Sequence, residues 1–170
     1  MTEATRVLVA GVGNIFLGDD AFGVEVARRL VGRSWPEGVR VVDFGTRGLD
    51  LAFALEACDA AILVDATSRG GAPGTLYVLE PTTAIAVDAA PIDDASAHGM
   101  TLDRLLARLP QSARPRQIRL VGCEPARPGE DDGDDEAMAL SGPVSAAIEE
   151  AARLVEALVE ELLAEPRAHA

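Results

Sequence analysis

The stretch "TRVLVAGVGNIFLGDDAFGVEVARRL", residues 5–30, decides how the chain folds. Its first part is a run of apolar and β-branched residues that ends at Gly11, the pattern of a buried strand. The period then changes. Phe22, Val26, Leu30 and Val31 share one helical face, while Glu25, Arg28 and Arg29 lie elsewhere. Asp19 and Asp20 stand where that helix begins, the position at which side-chain oxygens cap free N–H groups. A buried strand that feeds an amphipathic helix opens a β-α-β unit.

The alternation continues outward from there. "GVRVVDFG" (38–45) reads as a second strand. "GLDLAFALEAC" (48–58) reads as a second helix, with Leu49, Phe53 and Leu55 set against Ala52 and Glu56 as marks of its faces. "DAAILVDA" (59–66) is a third strand with Asp65 at its C-terminal end. Glycine and proline in "TSRGGAPG" (67–74) indicate a turn, and "TLYVLE" (75–80) a short strand. Residues 81–97 have weak periodicity and read as loop. "TLDRLLARLP" (101–110) is a helix stopped by Pro110, and "RQIRLVGCEP" (116–125) a further strand. The closing helix spans "SGPVSAAIEEAARLVEALVEELLAE" (141–165), with Ser141 as N-cap and Pro143 in its first turn.

The order β-α-β-α-β-β-α-β-α predicts an α/β protein: a three-layer α/β/α sandwich around a mostly parallel twisted sheet of about five strands. One domain is expected over 1–170, with an acidic loop over 126–139 and a flexible tail over 166–170.

Composition narrows the function. Hydrophobic residues make up 48% of the 170, and mean hydropathy is +0.15, against disorder. The apolar runs are too short to span a bilayer, and the N-terminus has no signal-peptide pattern, so a cytoplasmic protein is expected. The net charge of −13, with no lysine, disfavours nucleic acid and favours a cation or a basic protein surface. Cys58 and Cys123 form no CxxC pair and read as free buried thiols.

The loop after the first strand poses a choice between anion and cation. Gly11 and Gly13 fit the start of a dinucleotide fingerprint, but its third glycine is Phe16 here. No basic residue lies between Gly11 and Arg28, and Asp19 with Asp20 would repel a pyrophosphate. Asp43 after the second strand is the sole nucleotide-like match left. A Walker lysine is absent from a chain without lysine.

The cation reading is stronger. Ligands in open α/β sheets gather at the C-terminal ends of strands. Asp20 lies in the loop after strand one, Asp65 ends strand three, and His98 precedes a helix in "SAHGM". Two carboxylates and an imidazole suit a borderline divalent ion such as nickel, zinc, iron or manganese, with open coordination positions. Each residue also has a plain structural use: Asp20 as a cap, Asp65 as a turn former, His98 as a loop residue, and Asp19 as a loop-shaping group. No Gly-x-Ser-x-Gly elbow and no His-Glu-x-x-His helix occur.

These residues resemble a known family, the nickel-iron hydrogenase maturation proteases. "GVGNIFLGDDAFGVEVARRL", "DFGTRGLDLAFAL", "AILVDA" with "GAPGTLYVLE", "SAHGMTLDRLL", and "IRLVGCEP" with "MALSGPVSAAIEEA" follow the family's blocks in order. The resemblance runs from about Arg6 to the closing helix. It implies that Asp20, Asp65 and His98 contact metal, with no organic cofactor. The family's Asp-Gly-Gly-Thr turn stands here as Asp43, Phe44, Gly45 and Thr46, with Phe44 as the departure, and Gly45 and Thr46 beside the peptide groove. The implied activity is one endoproteolytic cut that removes a C-terminal extension from a hydrogenase large-subunit precursor. The nickel is supplied by that precursor, the protease is expected to be a monomer, and neither membrane nor nucleic acid is expected as a partner. Two other classes would use the same three residues: a nickel-sensing binding protein without peptidase activity, and a metallohydrolase that holds its own ion.

Overall fold

The computed structural model describes residues 4–81, 102–126 and 138–165. Five strands form one sheet: β1 (Val7–Val12), β2 (Val39–Gly45), β3 (Ala60–Ala66), β4 (Leu76–Leu79) and β5 (Gln117–Cys123). Among the described residues four helices accompany them: α1 (Phe22–Val31), α2 (Gly48–Glu56), α3 (Leu102–Arg108) and α4 (Gly142–Ala164). The strand order is β2-β1-β3-β5-β4. The four strands β2, β1, β3 and β5 are parallel, and β4 pairs antiparallel with β5 at one edge. The expected fold class is the observed one. The acidic segment and the tail expected at 166–170 fall largely or wholly outside the described residues.

The alternation of β1 explains the layers. Val7 and Val9 point to one face, where Phe22, Val26 and Leu30 of α1 and Val144, Ala151 and Val155 of α4 meet Ile62 and Val64 of β3. Leu8 and Ala10 point to the other, against Leu51 and Leu55 of α2 and Leu105, Leu106 and Leu109 beside Ala61 and Leu63. Ion pairs from Arg29 of α1 to Glu149, and from Arg33 just past its end to Glu156, join this region to α4 along an exposed flank.

Two helix faces differ from expectation. Val31 is 55% exposed, because the chain leaves α1 there and the core side ends at Leu30. In α2 the buried pair is Leu51 and Leu55, whereas Leu49 and Phe53 face outward. That helix is apolar nearly all round, so its pattern marks no unique inner face.

The connection from β1 through α1 leads to β2 on one side, and α2 then returns the chain to β3 on the other side of β1. The strand order therefore reverses between β1 and β3, and a crevice opens beyond their C-terminal ends. Glycine lets α1 sit directly on those ends. A Cβ on Gly23 would lie 2.0 Å from the Val64 carbonyl oxygen and 2.3 Å from that of Val12. A Cβ on Gly11 would lie 2.2 Å from the Gly23 oxygen. The first turn of α1 is thereby brought onto the backbone at the rim of the crevice.

Candidate functional site at the β1–β3 crevice

The loop from β1 to α1 is stiffened by its own backbone. Gly13 has φ +141°, and a Cβ there would stand 1.8 Å from the carbonyl oxygen of Asp20. The Gly13 N–H donates to the Gly45 carbonyl at 3.0 Å, tying the loop to the end of β2. The Asn14 side chain accepts from the Phe16 N–H at 2.9 Å, an Asx-type turn. The Asn14 N–H in turn donates to Asp20 Oδ2 at 2.8 Å. Asp20 sits in a 3-10 turn, Gly18–Ala21, that precedes α1.

Neither Asp19 nor Asp20 caps α1 through its side chain. The expected capping role is corrected for both: the 3-10 turn continues straight into the helix, and the carboxylates turn elsewhere. Asp20 closes its own loop. Asp19 is 4% exposed and takes three donors from distant chain: the Ala126 N–H at 2.8 Å, the Ser141 N–H at 2.7 Å and the Ser141 hydroxyl at 2.9 Å. Ser141 occupies the N-cap of α4, yet its hydroxyl serves Asp19 and not the helix.

Asp65, near the end of β3, lies between β1 and β5 and pairs in register with Gly122. Burial pushes its carboxyl up to about 8, the Asp20 carboxylate pushes the same way, and the Ala66 N–H opposes them. Asp20 and Asp65, forty-five positions apart in sequence, thus feel each other's charge across the crevice. No described cation forms an ion pair with either. His98 lies outside the described residues, and among the described residues no three His, Cys, Asp or Glu side chains group closely enough to hold a metal ion.

The remaining acids of this edge are engaged. Asp43 pairs with Arg28 at 3.4 Å, so the nucleotide-like acid after β2 is held by a guanidinium from α1. Phe44 is buried at 4% exposure among the α2 residues, which explains why this position can depart from glycine. Glu124 follows β5 and is 5% exposed. It accepts from the Arg69 N–H at 2.8 Å, the Gly70 N–H at 3.2 Å and the Tyr77 hydroxyl at 2.8 Å. Desolvation raises its carboxyl, but these donors outweigh it and hold the group below the usual carboxylate range. Sequence reasoning passed over Glu124, although it ends β5 much as Asp65 ends β3. The loop-shaping use expected of Asp19 is the one it has, although its partners Ala126 and Ser141 carry no signal in the sequence.

The two thiols are inert. Burial, and then the Asp59 carboxylate, push Cys58 up to about 12; burial and then Asp19 push Cys123 up to about 11. Both are free. What the edge offers chemically is a pair of carboxyl groups at a strand-order reversal, of which Asp65 keeps its proton at neutral pH until a shared cation displaces it.

Comparison with known proteins identifies the family and the fold. The family model described as hydrogenase maturation protease matches residues 24–158, more than half of the chain. The hydrogenase expression/formation protein HupM of Azotobacter chroococcum is 34% identical over 169 residues, covering 97% of this chain and 78% of that protein. The hydrogenase 2 maturation protease of Escherichia coli is 36% identical over 123 residues, covering 71% and 73%. Among solved structures, the hydrogenase maturating endopeptidase HybD from E. coli superposes with a TM-score of 0.73 at 33% identity, over 92% of this chain and 93% of that one.

Proposed function

The chain belongs to the hydrogenase maturation protease family, and on that premise we propose that it makes one cut in the precursor of a nickel-iron hydrogenase large subunit. It is a maturation endopeptidase; the cut removes a C-terminal extension after nickel has entered the precursor. Asp20, Asp65 and His98 contact that nickel, which arrives as part of the substrate and not as a resident cofactor.

The observation that carries this reading is the electrostatic conflict in the crevice. Asp65 is burdened by burial and by Asp20, and no described cation relieves it. A divalent ion presented there by a partner would displace the Asp65 proton and be held by both carboxylates. A precursor without nickel lacks the contact and leaves Asp65 protonated, so it is rejected by an interaction it cannot make. The ion is also a Lewis acid beside the peptide bond to be cut. Gly45, whose carbonyl-bearing turn is bonded to Gly13, borders the same crevice and shapes the groove for the extended peptide. The partner is a protein in the compartment where the precursor is assembled, the cytoplasm, and the protease acts as a monomer. No helix among the described residues is long and apolar enough to cross a membrane.

The test is a mass measurement of nickel-loaded precursor before and after incubation with the protein. The wild-type chain shortens it by the mass of the extension. His98→Ala and Asp65→Ala, shown folded by circular dichroism, leave it uncut, a loss of at least about 1,000-fold. A precursor that binds but keeps its mass would make the chain a nickel-sensing binding protein. A stoichiometric ion in the isolated, active chain would make it a metallohydrolase with its own metal.

A further inference from the structure

We propose that Asp19 is a positioning residue, which aims Asp20 at the crevice by clamping the β1–α1 loop to the two chain segments on either side of residues 127–137. Its consequence for cleavage rests on the function proposed above; its consequence for the loop does not.

Three donors converge on this one carboxylate. Ala126 and Ser141 supply N–H groups at 2.8 Å and 2.7 Å, and the Ser141 hydroxyl adds a third bond at 2.9 Å. With 4% of its surface exposed, Asp19 has little access to water that might replace any of them. Charge-assisted bonds of this length are among the stronger ones. They join three pieces of chain that are otherwise held by different partners. Ala126 follows Glu124, itself fixed by Arg69, Gly70 and Tyr77. Ser141 begins α4, whose Val144, Ala147 and Ala151 are core residues. The loop 13–20 therefore has an external anchor in two segments that other parts of the chain hold.

Asp20 is the next residue, inside a single 3-10 turn. Its backbone is packed on Gly13, and its carboxylate takes the Asn14 N–H. Asp19 and Asp20 divide the work: one is buried and takes three donors, the other is half-buried and takes one described donor. A rotation of the turn that released Asp19 would move Asp20 with it. Misplacement by about 1 Å is enough to cost on the order of 100-fold in rate when a reacting group must be held in place.

Asp19→Asn tests this directly. The carboxamide keeps one acceptor oxygen but sets an NH2 group against N–H donors, so the clamp loosens while size is conserved. Two measurements are read. In amide hydrogen exchange, the Asn14 N–H, which touches Asp20 and not Asp19, exchanges at least tenfold faster in the variant. In processing assays well below the melting temperature, kcat falls at least tenfold with KM within twofold. A clamp that only braces the fold would loosen the amides of Ala126 and Ser141 and leave Asn14 unchanged; that result overturns the proposal. Ser141→Ala, which removes only the hydroxyl bond, serves if Asp19→Asn fails to fold. It is expected to raise Asn14 exchange about threefold, with Ser141→Thr restoring it, and unchanged exchange in Ser141→Ala would likewise overturn the proposal. A wild-type chain that leaves the precursor uncut would sink the proposed function, while the Asn14 measurement still decides the clamp.

Discussion

Two pairs of acids stand along the same edge of the sheet and live under opposite conditions. Asp19 and Glu124 are nearly inaccessible, and each collects three hydrogen-bond donors from other parts of the chain. Asp20 and Asp65 lie at the crevice, repel each other, and have few donors between them. Asp65 and Glu124 stand at strand ends, and Asp19 and Asp20 lie in the loop that follows β1. What separates them is how many donors each collects and how far water reaches it. The first pair holds loops in place. Asp65, raised by burial and then by Asp20, is held where its charged form is not favoured, the expected mark of a group kept for a ligand.

The largest effect that would break this division comes from backbone, not from any acid. Gly23 allows α1 to rest on Val12 and Val64, whose carbonyl oxygens stand 2.3 Å and 2.0 Å from where its Cβ would be. Neither oxygen belongs to a flexible side chain, so Gly23→Ala must push the helix off the strands. A loss of about 4 kcal/mol is expected from such overpacking, near the upper end for single substitutions. Urea unfolding measures it. A variant as stable as the wild type would mean that the helix start, and Asp20 with it, does not depend on this close approach.

Removing an acid of the first pair comes next. Asp19→Ala leaves two buried N–H groups and a hydroxyl without their acceptor, at roughly 1–3 kcal/mol for each unsatisfied group before relaxation and entering water reduce the sum. The net loss is put at about 3 kcal/mol, which lowers the melting temperature by roughly 9 °C in a chain of this size. A change within about 2 °C would place Asp19 with the second pair.

The two pairs also differ in how far they could be read from the amino-acid order. Asp20 and Asp65 stood out because strands and helices alternate, and because an open sheet sends the ends of its parallel strands to one edge. The same logic produced the five-strand sheet and its layers. Asp19 carries no such signal: two of its three donors are backbone N–H groups more than a hundred positions away, and a backbone group has no side-chain identity by which to announce itself. Ser141 misled for a related reason. Serine before a proline-led helix is a good N-cap, and Ser141 does occupy that position, but a buried carboxylate outcompetes the helix for its hydroxyl. In α2 the obstacle was uniform hydrophobicity: Leu49 and Phe53 are as apolar as Leu51 and Leu55, so only tertiary packing picks the inner pair. The place of His98 relative to the acids lies outside the described residues.

A smaller effect of opposite sign sharpens the comparison. The Asp65 carboxyl is displaced from 3.8 to about 8, first by burial and then by Asp20. Between those values the native chain holds a proton that the unfolded chain has released. Stability from this group is therefore greatest below about pH 4, declines as pH rises toward 8, and levels off beyond it. The whole displacement corresponds to about 6 kcal/mol, and the part of it below neutral pH to about 4 kcal/mol. Asp65 is only partly screened from water, and solvent reduces that to about 2 kcal/mol. Asp65→Asn removes the titrating group while keeping its shape, so the metal-free variant is expected to melt roughly 6 °C above the wild type at pH 8 and at nearly the same temperature at pH 4. Other titrating groups are common to both proteins and cancel in the difference. Melting curves at half-unit intervals from pH 4 to 8 check this, in buffer freed of divalent ions. Parallel profiles would show that Asp65 is as comfortable as Asp19, and the electrostatic conflict that distinguishes the crevice would be gone. A gap that widens with pH and then closes on adding nickel would show the same carboxylates passing from mutual repulsion to shared ligation.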